Sequence, residues 1–139
     1  PDTRTKEDLS TLALDITALA RERHGLHQAT RHRIETDLCP EGKKLNNALT
    51  AWWELDFSAF RAQVKKAFKA DVPVRERAEW GEALAEWRGE HERLTDQIVD
   101  REEELNDRVY QLYGLTAQEV QTLEDFQKKT KTFYPLGEV

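Results

Sequence analysis

The chain has 139 residues, of which 35% are charged and 38% hydrophobic, and its net charge is −6. This length suits one modest domain, and the acidic balance argues against a stand-alone binder of duplex DNA, because that binding depends on Lys and Arg neutralising phosphates. The single cysteine, Cys39, excludes an internal disulfide, and no apolar run approaches the ~20 residues of a membrane span, so we expect a cytoplasmic protein without membrane contacts.

The first predicted element is a long helix over about residues 6–38. Its apolar residues keep helical spacing, and Thr5 with Asp8 has the spacing of an N-terminal capping pair. Pro40 disfavours helical geometry in Cys39, so we expect the helix to end there. The apolar positions are Leu9, Leu12, Ala13, Ile16, Leu19, Ala20, Leu26, Ile34 and Leu38.

Two shorter helices are predicted next. Residues 45–53 have apolar side chains at helical spacing, and Asp56 is placed to cap a second helix that residues 70–73 end. The apolar faces are Leu45, Leu49, Trp52 and Trp53 in the first and Phe57, Phe60, Val64 and Phe68 in the second. Lys65, Lys66 and Lys69 are expected to point outwards.

A second long helix is predicted over about residues 75–113. Its apolar stripe consists of Trp80, Ala83 or Leu84, Trp87, His91, Leu94, Ile98, Leu105, Val109 and Leu112. The steps alternate near four and three, which is typical of a helix that packs along another one. Arg101 and Glu102 interrupt the stripe, as a weak place or as a contact with something else. We therefore predict an all-α single domain over residues 1–139, in which the two long helices form an antiparallel coiled-coil-like pair with the shorter helices at one end.

Residues 105–124, LNDRVYQLYGLTAQEVQTLE, predict a helix end, a tight turn and a new helix. Gly114 follows the apolar residues of the last turn, at the position where a left-handed residue commonly ends a helix. Thr116 and Glu119 have the capping-box spacing, so we expect the next helix to begin at about Ala117. Residues 128–139 are expected to be an extension or loop, because Pro135 and Gly137 exclude a regular helix.

This segment, with the upstream WWELDFSAF and the closing YPLGEV, resembles the C-terminal helical region of adenine-specific DNA methyltransferases of bacterial restriction–modification systems, in particular the fused type IIG-like enzymes. The resemblance covers roughly the last two thirds of the chain. The residues that match the run typical of those enzymes are Asn106, Val109, Tyr110, Leu112, Tyr113, Gly114, Leu115 and Thr116.

The resemblance implies that the chain is the C-terminal part of a larger enzyme, with architectural residues in this segment. In such enzymes a separate domain binds S-adenosylmethionine and presents an Asn-Pro-Pro-Tyr type loop to a flipped adenine. That loop does not occur here, so we expect no catalytic residue, cofactor or metal in this chain. The implied role is that of a helical spacer that positions target-recognition and methylase domains on DNA, and the implied partners are the remainder of the parent polypeptide and, through it, DNA.

Two basic stretches are candidates for contacts with DNA phosphates. One contains Arg21, Arg23, Arg31 and Arg33, and the other contains Lys128, Lys129 and Lys131. Cationic side chains of this kind neutralise phosphates when they lie beside a duplex. The alternative is an ordinary charged helix face that is stabilised by ion pairs three or four residues apart.

Other polar and aromatic residues suit structural roles better than chemical ones. His24, His27 and His32 with Cys39 have the donor types of a zinc site, but spacings of three and five converge poorly on one ion, so solvated or cap-side histidines are the favoured interpretation. Trp52, Trp53, Trp80 and Trp87 lie on apolar stripes and are expected in the core. Residues 102–104 are three glutamates, which we expect on a solvated face.

Two alternatives to the spacer remain. One is a free-standing helical interaction protein that forms a homodimer through the apolar stripe and has no enzymatic parent. The other is a module that reads DNA sequence itself, which the acidic balance and the lack of a recognisable recognition helix disfavour.

Overall fold

The computed structural model describes residues 3–130, with side chains for residues 4–126. The helices are α1 (Thr3–Asp37), α2 (Asn47–Thr50), α3 (Phe57–Phe68), α4 (Arg77–Leu112) and α5 (Ala117–Thr130), and two 3₁₀ turns span Trp52–Glu54 and Val74–Glu76. No strand occurs within the described range, and the long helices α1 and α4 pack against each other. The predicted all-α class with a long helix pair is therefore confirmed.

The helix bounds differ from the prediction at three places. The helix α1 already includes Thr3, so Thr5 and Asp8 lie inside it and the predicted capping pair is wrong. The expected helix over 45–53 is divided into α2 and the 3₁₀ turn Trp52–Glu54. The helix α5 continues to Thr130, so the expected loop does not begin at residue 128, and residues 131–139 lie outside the described part.

The chain forms two compact units, and α1 and α4 contribute residues to both. The described part of the first unit consists of residues 3–22 and 94–130, and the second unit consists of residues 23–93. All four tryptophans belong to the second unit. Its buried core consists of Ile34, Leu49, Trp52, Phe60, Val64, Phe68, Val72, Trp80 and Leu84. The half-buried Trp53 and Trp87 pack against this core, so the expected structural role of the tryptophans is confirmed.

Within the second unit, α1 and α4 run antiparallel. Arg33, late in α1, places its guanidinium carbon 5.5 Å from the ring centre of Trp80, early in α4. His27, earlier in α1, contacts His91, later in α4. This order is the one that the apolar spacing predicted.

The helix α3 is bounded by the residues that the sequence indicated. The Asp56 side chain accepts a hydrogen bond from the Ala59 amide at 2.8 Å, which satisfies a donor that the first turn leaves without a partner. The helix ends at Phe68, and the next residue, Lys69, caps it with φ 63° while its amide donates to the Lys65 carbonyl at 2.9 Å. Lys65, Lys66 and Lys69 are exposed, as predicted.

A charged network holds the connection between α3 and α4. Arg61 donates two hydrogen bonds to Asp71, at 3.1 and 2.8 Å, and Arg77 donates a third at 3.3 Å. The Arg77 Nε also donates to the Val72 carbonyl at 2.9 Å. The hydrogen bonds from Arg61 are the main cause that lowers the pKa of Asp71 to about 2, so this carboxylate stays charged and keeps its partners near neutral pH.

The first unit has its own buried residues, namely Leu12, Ile16, Leu94, Ile98, Glu102 and Tyr110. Glu102 is only 7% exposed, which corrects the expectation of a solvated face for residues 102–104. The reason is its position four residues after Ile98, on the buried side of α4, whereas Glu103 and Glu104 are exposed. Arg108 of α4 donates to Asp8 of α1 at 3.2 Å, so the two helices are also paired here.

The turn between α4 and α5 has the predicted geometry. Gly114 has φ 63°, and the Leu115 and Gly114 amides donate to the Tyr110 and Gln111 carbonyls at 3.0 and 3.1 Å. These two bonds are the pattern of a helix that ends on a left-handed glycine. Thr116 and Glu119 cap each other's amides at 3.0 and 3.2 Å, and α5 begins at Ala117, as expected.

Candidate functional site

The predicted phosphate-binding arginines lie in different surroundings. Arg21 is exposed, but Arg23 is only 5% exposed and is therefore not available to a phosphate at the surface. Arg31 is half-buried, and its Nε donates to the Thr50 carbonyl at 2.9 Å. Arg33 is exposed and forms an ion pair with Asp37 one turn later. The contact of Arg33 therefore fits the alternative prediction, an ordinary charged helix face with ion pairs, better than it fits a phosphate site.

The second predicted basic stretch falls at the edge of the described residues. Lys128 and Lys129 belong to α5, but their side chains lie outside the described part, as does the whole of Lys131. Their contact with phosphate therefore stays a prediction.

The residues of the considered zinc set do not come together. His24 and His32 are exposed and bond to Gln28 and Thr36, each four residues further along α1. Cys39 is half-buried, and burial raises the pKa of its thiol. Within the described range no three His, Cys, Asp or Glu side chains are grouped as metal ligands. His27 is neither solvated nor at a cap, which corrects the favoured interpretation for this residue.

His27 and His91 form the most distinctive polar pair of the second unit. His27 is 2% exposed, and its Nε2 lies 2.8 Å from the Nδ1 of the half-buried His91. One of these two nitrogens must carry the shared hydrogen, because both rings offer a lone pair when neutral. The His27 Nδ1 is also buried and has no hydrogen-bond partner among the described residues.

Indole rings surround this histidine pair. The Trp53 ring is stacked on His27, with ring centres 3.8 Å apart and planes 8° from parallel, and it also lies 5.1 Å from the His91 ring. The buried Trp52 meets His27 edge-on at 5.8 Å, and its Nε1 donates to the His27 carbonyl at 3.4 Å. The 3₁₀ turn that carries both tryptophans is thus packed directly on the imidazoles.

The surroundings favour neutral imidazoles. Burial is the main cause that lowers the pKa of His27 to about 3, and His91, Arg23, Arg31 and His24 add positive potential in that order. Burial also lowers the pKa of His91, with a further contribution from Arg23. At neutral pH the site therefore holds two uncharged rings that are joined by one hydrogen bond.

A groove of about 350 Å³ lies beside α1 in the same unit. It is lined by Leu26, Ala29, Thr30, His32, Arg33, Thr36 and Trp87. The surface of the groove is largely apolar, with two hydroxyls, one guanidinium and one imidazole, and its lining contains no carboxylates. The Thr36 hydroxyl lies 3.5 Å from the His32 Nε2, which is at the long limit of a hydrogen bond. The groove therefore suits contact with an apolar surface rather than acid–base chemistry.

The helical spacing of polar residues in the sequence also indicates this site. His91 was placed on the apolar stripe of α4, and it does face α1. On α1, Arg23, His27, Thr30 and Ile34 are all buried and follow one another in steps of four, three and four. The buried face of α1 therefore continues through polar residues. The predicted face contained no residue between Leu26 and Ile34, because only apolar residues were assigned to it.

None of the described helices has the combined length and apolar character that a bilayer span requires. No curated protein and no solved structure matches the chain. One family model matches residues 2–109, so the segment from Tyr110 onwards, which includes most of the methyltransferase-like run, lies beyond the match. Because this match covers most of the chain, the protein belongs to the family described as Domain of unknown function (DUF8810).

Proposed function

We propose that this chain is a helical spacer and support module of a larger enzyme, in which it positions the target-recognition and methylase domains. The observation that carries the proposal is the pairing of α1, with 35 residues, and α4, with 36 residues. Helices that pack against a partner resist bending better than single ones, and α1 and α4 are paired in each unit, through His27 and His91 in the second and through Asp8 and Arg108 in the first. Such a pair suits a part that fixes a distance.

We further propose that the parent enzyme is a DNA adenine methyltransferase of a restriction–modification system. This step rests on the resemblance of residues 105–124, and the family match does not extend over most of that segment. The geometry of the segment supports an architectural role, since Tyr110 is buried, Gly114 ends α4 and Thr116 starts α5. S-adenosylmethionine and the flipped adenine would be bound by the methylase domain of the parent.

DNA would reach this module through the parent rather than by an independent site. The net charge is −6, and Arg23 is buried, so Arg21 and Arg33 are the exposed members of the first basic stretch. We expect these two arginines to add at most a small electrostatic contribution to the binding of the parent. Replacing both with Gln should lower the salt dependence of DNA binding slightly if phosphates contact them.

The decisive experiment is to sequence the reading frame upstream of Pro1 and then shorten the helix pair in the complete parent. Removal of seven residues from α1 and of the seven facing residues from α4 keeps the side-chain pattern and shortens each helix by about 10 Å. We expect DNA methylation to be lost while S-adenosylmethionine binding is kept. A matched control exchanges seven exposed residues of α4 for Ala without changing its length, and it should methylate normally.

Two outcomes would contradict the proposal. A reading frame without methylase motifs removes the methyltransferase parent, and normal methylation by the shortened enzyme removes the spacer role. The alternative of a free-standing protein that dimerises through the stripe has less support, because Leu94 and Ile98 of that stripe are buried within a single chain.

A further inference from the structure

We propose that the His27–His91 pair is a pH-sensitive latch, which holds the 3₁₀ turn Trp52–Glu54 in place while both imidazoles are neutral and releases it when the pair is protonated. The proposal is independent of the spacer role, since it concerns contacts inside the second unit alone. It rests on the 2.8 Å contact between the two rings, on the burial of His27 and on the indole rings packed against them.

The hydrogen-bond geometry assigns the neutral state. The His27 Nδ1 is buried without a partner, and a bare lone pair is tolerated there more readily than an unpaired N–H. His27 therefore carries its hydrogen on Nε2 and donates it to the His91 Nδ1. In this arrangement neither ring leaves a buried N–H group without an acceptor at the contact.

Protonation of either ring breaks this arrangement. If His91 gains a proton on Nδ1, that nitrogen faces the Nε2 hydrogen of His27, so His27 must move its hydrogen to the buried Nδ1. If His27 itself gains a proton, the new N–H again lies at the buried Nδ1, where no residue in the described part of the chain provides an acceptor. Both routes place an unpaired donor in the interior, which is costly because burial removes its bond to water.

The charged groups around the pair oppose a positive charge as well. Arg23, His24 and Arg31 on α1 act on His27, together with His91 on α4. The turn side contributes the Trp52 and Trp53 rings, and Arg88 of α4 donates to the Trp53 carbonyl at 3.3 Å. The groups that act on His27 are cations or become cations on protonation, so an imidazolium here would meet repulsion.

The turn is the element that these contacts hold. The Trp53 ring rests on both imidazoles, the Trp52 Nε1 donates to the His27 carbonyl, and Arg31 donates to the Thr50 carbonyl just before the turn. Because the Trp53 ring is stacked on His27, a displaced imidazolium would disturb this contact. Protonation is therefore expected to loosen residues 50–54 before it loosens the α3 side of the core.

The sign of the pH effect follows from the lowered pKa values of both histidines. The neutral pair contributes fully to the stability of the folded protein above a pH of about 6.5, which is the pKa of a histidine in the unfolded chain. Above that pH the rings are neutral in both the folded and the unfolded state. This stabilisation declines as the pH falls from about 6.5 towards the pKa of about 3 that His27 has in the folded protein. The cause is that the unfolded chain binds protons at these histidines while the folded chain does not. Each pH unit below about 6.5 should thus raise the population of the open latch.

The first experiment measures urea unfolding by far-ultraviolet circular dichroism between pH 7.5 and 4.5. For the wild type, the unfolding constant should rise with each pH unit below 6.5, by up to about tenfold for each imidazole held neutral. His27→Gln and His91→Gln should flatten this rise. His24→Gln, at an exposed site of the same helix, is the control and should keep the slope. Equal slopes in the three variants would overturn the proposal.

A second experiment needs no variant, so it decides the matter even if His27→Gln does not fold. Histidine ring resonances of the wild type are followed by nuclear magnetic resonance from pH 8 to 4.5, together with exchange of the Glu54 and Leu55 amides. The His27 and His91 rings should stay neutral until well below the ordinary imidazole pKa of about 6.5, and the protection of Glu54 and Leu55 should fall at least tenfold more than that of the Phe60 amide in α3. Titration of the His27 and His91 rings near about 6.5, or equal loss of protection, would refute the latch.

Discussion

Buried polar side chains are the most specific residues of the helix pair. Arg23, His27 and Thr30 on α1 and Glu102 on α4 are each at most 7% exposed. Burying a polar group costs more free energy when its contacts are lost, so a shift of either helix by one turn would be costly at these positions and cheap at the apolar ones. We expect these residues to set the register of α1 against α4 in their own units.

The left-handed Gly114 leads to a prediction at this scale. Gly114→Ala should lower the free energy of unfolding by on the order of 1 kcal/mol, because a Cβ atom is strained at φ 63° although no atom lies near it. Gly25→Ala is the matched control: this glycine lies inside α1 in open space, so alanine there should stabilise by about 0.5–1 kcal/mol. Both are measured by urea unfolding, and changes of the same sign would contradict the assigned conformation of Gly114.

The bounds of the helices show what the sequence can predict at the level of elements. Asp56, Pro40 and the Gly114–Thr116 turn are chemically distinctive, so the helix ends that they mark were predicted within two residues. The start of α1 was misplaced, because Thr5 and Asp8 have the spacing of a cap but are also tolerated inside a helix. A capping residue thus predicts the end of a helix correctly where the helical spacing of apolar residues also stops. Where that spacing continues, the same residue types can lie inside the helix.

The N-terminus of α3 provides the prediction for this scale. Asp56→Ala should cost about 1 kcal/mol, because the Ala59 amide loses its 2.8 Å partner at the first turn. Asp56→Ser keeps a side-chain acceptor and should recover most of that loss. Thermal and urea unfolding of the two variants measure the difference, and equal stability of the Ala and Ser variants would show that the cap contributes nothing.

At the scale of the whole molecule, the fold class followed from the apolar spacing, whereas the histidine pair did not. Spacing reports where a side chain points, and it predicted that His91 would face α1. It does not report which polar group on the other helix lies opposite, because that depends on the register of two segments 64 residues apart. The contact of Arg108 with Asp8 escaped prediction for the same reason.

The burial of the α4 stripe within one chain predicts the behaviour of the protein in solution. Leu94→Ala should cost roughly 2–5 kcal/mol, because a side chain that is 1% exposed leaves a cavity. Val99→Ala, at a site that is 38% exposed on the same helix, should change stability by less than about 1 kcal/mol. Sedimentation should give both variants the molar mass of the wild type, whereas dissociation of an oligomer by Leu94→Ala would favour the dimer that uses this stripe.

The uneven placement of the tryptophans has a spectroscopic consequence. Since all four indoles belong to residues 23–93, intrinsic fluorescence excited selectively at tryptophan reports on that unit alone, while the circular dichroism of the helices reports on both. The two signals, recorded during one denaturation, therefore follow the unfolding of the second unit and of the whole chain separately. Coincident curves would mean that the two halves melt as a single cooperative body, and displaced curves would rank their stabilities without any label or engineered probe.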